Sequence, residues 1–160
     1  MNWDAIGAVG EIVGAVAVVL SLVYLAIQIK NQNFEAKAAT IQQVLQSNST
    51  TISQLQDPEL AKIWLVGTEN IDALSDVDRL RFVIYVTTIM RFYENAYFQW
   101  RSGRLDDESW HALMGVVRDV KSTNMYSTFL EIRRHHFRPE FLSYLEELDV
   151  GDYSYIRSSG

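Results

Sequence analysis

Between Ile12 and Ile29 the chain reads IVGAVAVVLSLVYLAIQI, eighteen residues without a formal charge. No other stretch limits its folding options so strongly. With the adjoining Ala5 to Gly10, a helix of this run reaches about 37 Å, enough to cross a hydrocarbon layer of about 30 Å with some tilt. A buried core helix is the rival reading. A cleaved secretory signal is not expected. Met1-Asn2-Trp3-Asp4 lacks a positive n-region, and the small-x-small site Ala36-Lys37-Ala38 lies too far beyond the apolar run.

The flanks suggest an orientation. Asp4 is the only charged side chain before Glu11, whereas Lys30 and Lys37 follow the run. The positive-inside rule then puts the C-terminal part in the cytoplasm and the N-terminus outside, with Trp3 and Tyr24 as interface aromatics. Gly7, Gly14 and Ser21 recur every seven residues, and Gly10 with Gly14 forms a small-xxx-small pair. Such a face lets helix backbones approach closely and is a candidate oligomer contact. Glu11 carries two readings. It is either an interfacial carboxylate near the positive helix end, or a polar group lining the lumen of a homo-oligomeric channel or pore.

After Lys30 the composition turns to glutamine, asparagine, serine and threonine, with Glu35 and Lys37 the only charges up to Gln56. Phe34, Ala38, Ile41, Leu45, Asn48, Ile52 and Leu55 recur at alternating spacings of four and three, continuing the register of the apolar run. One helix from membrane to stalk fits this stripe. The stripe serves either a self-associating coiled coil registered by Asn48 or packing on the chain's own domain. The run Ser47-Asn48-Ser49-Thr50-Thr51, poor in helix formers, weakens the coiled-coil reading.

Beyond residue 56 the signals are helical throughout. Asp57-Pro58-Glu59 and Ser75-Asp76-Val77-Asp78 are helix starts, and Gly103 is a stop for a helix ending near Arg101. FVIYVTTIM, from Phe82 to Met90, is apolar on all sides but too short to span, so it reads as the central helix of a bundle. A helix from Leu105-Asp106-Asp107-Glu108 presents Trp110, Leu113, Met114, Val117 and Val120. Another covers about Met125 to His136, and a last one runs from Phe141 to Leu148 after Pro139. The expected fold is all-α. Its parts are a transmembrane helix (1–30), a polar stalk helix (31–56), a cytoplasmic bundle of four to five helices (57–150) and a loosely held tail (151–160).

Composition narrows the functional classes. Fourteen Lys+Arg against twenty Asp+Glu leave a net charge of −6 with the acid dispersed, which argues against nucleic acid as a partner. The absence of cysteine removes thiolate metal sites and cysteine nucleophiles. Glu108 and His111 have Glu-x-x-His spacing without the second copy a di-iron bundle needs, and the Glu131/His135 pair suits a surface contact. No phosphate loop, nucleophile elbow or zinc-protease motif occurs. No catalytic residue, cofactor or metal ligand is assigned, and an enzyme is not expected. Arg133-Arg134-His135-His136-Phe137-Arg138 is the one basic cluster. Arg133, Arg134 and Arg138 are candidate contacts to anionic lipid, against a helix-end role for the same cations.

The segments WDAIGAVGEIVGAVAVVLSLVYLAIQIKNQN, LSDVDRLRFVIYV, YENAYFQWRSGRLDDESWHALM and RRHHFRPEFLSYLEEL together resemble a group of small uncharacterised bacterial membrane proteins with one N-terminal helix. Trp3, Glu11, Glu94, Gly103, Trp110 and Phe141 carry the likeness. It implies a helical protein anchored in the bacterial inner membrane, and no activity. The leading expectation is a single-pass protein that self-associates or scaffolds through its membrane helix and cytoplasmic bundle. The alternatives are the Glu11-lined channel and, last, a ligand-binding bundle or enzyme using Arg79, Arg91, Glu94 and Tyr97.

Overall fold

The computed structural model describes residues 3–150, excepting the side chains of residues 4–6, and these residues are all-α with no strand among them. Six α-helices follow one another: α1 Trp3–Ser53, α2 Pro58–Glu69, α3 Asp76–Arg101, α4 Asp107–Lys121, α5 Met125–Arg133 and α6 Pro139–Glu147. Single 3-10 turns stand at Gln54–Gln56, Ile71–Ala73 and Arg134–His136. The expected tail, 151–160, lies outside the described residues. Contacts divide the chain into two units, residues 1–39 and 40–160.

In the first unit the described side chains of α1 are exposed, Gln28 excepted, and from Val9 to Ile29 every large apolar side chain is 52–64% exposed. α1 is the one helix among the described residues that is long and apolar enough to cross a membrane.

The second unit is a helical bundle whose elements start where local chemistry dictates. The Asp57 carboxylate accepts from the Leu60 N–H at 2.8 Å, with Pro58 at the first helical position. Ser75 Oγ accepts from the Asp78 N–H at 3.2 Å, and Asp106 Oδ1 accepts from the Ser109 N–H at 2.8 Å. Each side chain satisfies an amide that the helix itself cannot. Hydrogen bonds from the Ser109 backbone and hydroxyl hold the Asp106 carboxyl below its ordinary range. Gly103 takes φ +70°, a left-handed conformation that lets the chain turn after α3.

Trp110, Leu113, Met114, Val117 and Val120 of α4 are buried, as their spacing predicts. They join a core with Phe82, Met90, Tyr93, Phe129 and Phe141. α3 differs from its expected role as a helix surrounded by partners. Phe82, Val83, Tyr85, Val86, Ile89 and Met90 are buried, but Val77, Leu80 and Ile84 are 68%, 56% and 54% exposed. The apolar run is thus one-sided in use, and Thr87 and Thr88 satisfy their hydroxyls on the carbonyls of Val83 and Ile84.

The C-terminal end of α1 belongs to this bundle. Val44 is 8% exposed in the core, and Ile41 and Leu55 pack half-buried against it. Of the expected stripe, Ile41, Asn48 and Leu55 are half-buried, whereas Leu45 and Ile52 are 53% and 46% exposed. The packed face follows 41, 44, 48, 51 and 55, the same alternation rotated by part of a turn. The poor helix formers remain helical because their hydroxyls bond back along the helix: Thr50 Oγ1 donates to Gln46 O at 2.9 Å and Thr51 Oγ1 to Ser47 O at 2.8 Å. Tyr85 then donates its hydroxyl to Thr51 O at 2.9 Å, and burial pushes its pKa up to about 12.

At Gly67, α2 lies directly against the Phe82 ring of α3. A Cβ there would stand 2.6 Å from Cδ2 and Cε2 of Phe82, a ring with 0% exposure. Alanine would gain about 1 kcal/mol of helix propensity, but crowding a packed ring costs about 1–3 kcal/mol. Gly67→Ala is therefore expected to destabilise the bundle by up to about 2 kcal/mol net, measurable as a lower urea midpoint. An unchanged midpoint would mean that Phe82 has room to move.

Candidate functional site

Arg138, the last residue of the basic cluster, and the second half of α3 line one pocket. Pro139 opens α6, and the residue before a proline is driven to extended backbone. Arg138 accordingly sits at φ −71°, ψ 143° and provides no side-chain cap. Its backbone N–H instead donates to Glu94 Oε1 at 2.7 Å, across forty-four residues of chain. Glu94 Oε2 accepts from Arg91 Nη1 at 2.7 Å. The Glu94 side chain is 7% exposed and the Arg91 side chain 51%. A carboxylate so buried needs both partners, because a lone charge out of water is strongly unfavourable.

The two guanidiniums rest on aromatic faces. Arg138 lies 4.4 Å from the centroid of Phe98, and Arg91 lies 5.5 Å from that of Phe137. Ring quadrupoles favour cations there and orient them without neutralising them. Arg91, Glu94, Asn95, Phe98 and Arg138 line a pocket of about 410 Å³. Asn95 Oδ1 is engaged by Gln99 Nε2 at 3.4 Å, so its amide NH2 is the group left to donate.

Beside this pocket, Arg133 Nη1 stands 3.5 Å from His136 Nε2, and the His135 and His136 rings are 4.3 Å apart. Desolvation first, then the nearby His135, Arg133 and Arg91, hold the His136 pKa below its usual value. Arg134 is turned away, paired with Glu146 at 2.8 Å. Of the three arginines singled out in sequence, only Arg138 lines the pocket. Of the polar set Arg79, Arg91, Glu94 and Tyr97, the structure brings Arg91 and Glu94 together and not the other two. Arg79 pairs with Asp72 at 3.3 Å, and Tyr97 lies in an aromatic cluster with Trp100, Trp110, Phe141 and Tyr144.

The small-residue face of the first unit is open. A Cβ built at Gly7, Gly10 or Gly14 would meet nothing within 4 Å. Ser21 Oγ donates to Ala17 O at 2.8 Å, and Glu11 is exposed. Among the described residues no group of three His, Cys, Asp or Glu side chains is placed to hold a metal ion. His111 Nδ1 contacts Asp107 O at 2.6 Å.

Sequence reasoning missed two residues. Lys121 Nζ donates to the carbonyls of Leu145 at 2.8 Å, Glu146 at 3.2 Å and Leu148, closing the C-terminal end of α6 with a cation. Phe98, the ring beneath Arg138, carries no signal in the sequence beyond its place in a helix. A basic residue at the end of α4 gives no sign of the helix it will reach, but an aromatic one turn beyond Glu94 could have been weighed. Compared with protein-family models, curated proteins and solved structures, the chain finds no match.

Proposed function

We propose that this chain is a membrane-anchored helical protein. Ile12 to Ile29 spans a lipid bilayer once, and the bundle is a cytoplasmic module that self-associates or scaffolds. The observation that carries the reading is the exposure of the apolar run from Val9 to Ile29, where every large apolar side chain is at least 52% exposed. So large a contiguous apolar surface exceeds the few hundred Å² that soluble monomers usually leave open, and a bilayer removes it from water at about 25 cal/mol per Å². Lys30 and Lys37 favour the inner face for the bundle, in the bacterial inner membrane that the family resemblance implies. Alkaline extraction of membranes carrying the full chain tests the anchor. The protein is expected to stay with the lipid, and release into the supernatant would remove the span.

Self-association through Gly7, Gly10, Gly14 and Ser21 is supported by the open space over the three glycines, whose missing side chains serve no packing among the described residues. Light scattering of the full chain in mild detergent, with the detergent mass subtracted, is expected to give a discrete oligomer that Gly14→Leu reduces. Equal masses for the two proteins would take the small-residue face out of the account.

A further inference from the structure

We propose that the pocket between α3 and the start of α6 binds a phosphate-bearing anion through Arg91, Arg138 and Asn95. The chemistry of its lining is one-sided. Among the described residues Glu94 is the only carboxylate lining the pocket, and both its oxygens are engaged, Oε1 by the Arg138 N–H and Oε2 by Arg91 Nη1. The other polar side chains of the lining are the donors Arg91 and Arg138 and the amide of Asn95, whose Oδ1 is engaged by Gln99.

The charges of the lining sum to 2 − 1 = +1 in a chain whose total is −6. Among the described residues, the Arg138 guanidinium forms no ion pair. Its Cζ lies over the Phe98 ring, 4.4 Å from the centroid, so the ring supports the guanidinium from one side. A planar fork supported in this way suits the paired oxygens of a phosphate, and restricting its motion beforehand lowers the entropy lost on binding. The pocket, about 410 Å³, has room for a phosphate group and part of what it is attached to.

A lipid headgroup and a soluble phosphate compound present the same chemistry. The inference does not depend on the membrane reading, since binding of free phosphate can be read in micelles whether or not Ile12 to Ile29 crosses a bilayer. Failure of alkaline extraction leaves it standing.

The test is calorimetric titration of the full chain in maltoside micelles at constant ionic strength. One arm adds inorganic phosphate, and the other adds micelles doped with phosphatidylglycerol or, as control, phosphatidylcholine. Saturable binding is expected in at least one anionic arm, and the arm that responds identifies the source.

Arg138→Gln keeps the backbone N–H that Glu94 needs and is expected to weaken binding about tenfold or more. Glu94→Gln removes the opposing charge and releases Arg91, so binding is expected to tighten, by about threefold or more. A merely structural ion pair predicts no such gain. Arg104→Gln, which removes a positive charge from an exposed loop residue, is expected to leave affinity within about twofold because exposed charges are well screened. If Glu94→Gln fails to fold, the comparison of Arg138→Gln with Arg104→Gln decides. Silence in both anionic arms, or equal losses in those two variants, overturns the proposal.

Discussion

Trp110→Ala is expected to remove about 3–5 kcal/mol from the stability of the bundle, the range for truncating a buried aromatic. Trp110 is 0% exposed. Its ring stacks on Trp100 at 5.2 Å with an interplanar angle of 11°, and touches Tyr97 and Tyr144 at 5.9 and 5.6 Å. Its Nε1–H donates to the Tyr144 hydroxyl at 3.1 Å, so truncation removes both volume and a polar tether between α4 and α6. Trp110→Phe separates the two. It keeps most of the volume and should lose about 1 kcal/mol, the net value of one hydrogen bond. Urea unfolding in micelles followed by circular dichroism reads both variants. A loss under about 1 kcal/mol for the alanine would mean that this cluster is not the centre of the core.

Leu20→Arg is expected to disfavour membrane insertion by about 3–4 kcal/mol, the difference between leucine and arginine near the middle of a span. Leu20 lies near the middle of the uncharged run and is 64% exposed, so the arginine meets no compensating partner among the described residues. Val116→Arg is the matched control, because Val116 is 40% exposed on α4 and has no part in the span. After alkaline extraction, the Leu20 variant is expected to shift towards the supernatant while the Val116 variant stays with the membrane. If both remain with the lipid, the run from Ile12 to Ile29 is not what holds the protein there.

Much of the fold was legible because its boundaries are local. Asp57 before Pro58, Ser75 before Asp76, Asp106 before Asp107 and Gly103 after α3 act over three or four residues, and the structure puts helix ends at each. The buried face of α4 was likewise written in its spacing. What escaped depends on which neighbour a helix meets. The stalk stripe has the right period, but the core takes Val44 and leaves Leu45 53% exposed, a choice of rotation set by α3 and invisible in α1. The apolar middle of α3 looks the same whether every side is covered or, as here, Ile84 stays 54% exposed. For the pocket, Arg91 and Glu94 at i, i+3 were readable, and so was the basic cluster. That the two meet was not, since nothing local links Glu94 to Arg138.

The bond from the Arg138 backbone to Glu94 has a consequence for folding order. It joins residues forty-four positions apart, so the pocket exists only after α6 has docked against α3. Loop closure over such a distance loses chain entropy before any contact offsets it. The pocket therefore belongs to the completed bundle and to no fragment of it. By linkage, an anion held there favours the closed chain over forms in which α6 has come away, in proportion to RT ln(1 + [L]/Kd). The abundance of such a ligand would then set how long the C-terminal helix stays home, making α6 the segment whose protection from proteolysis reports on occupancy.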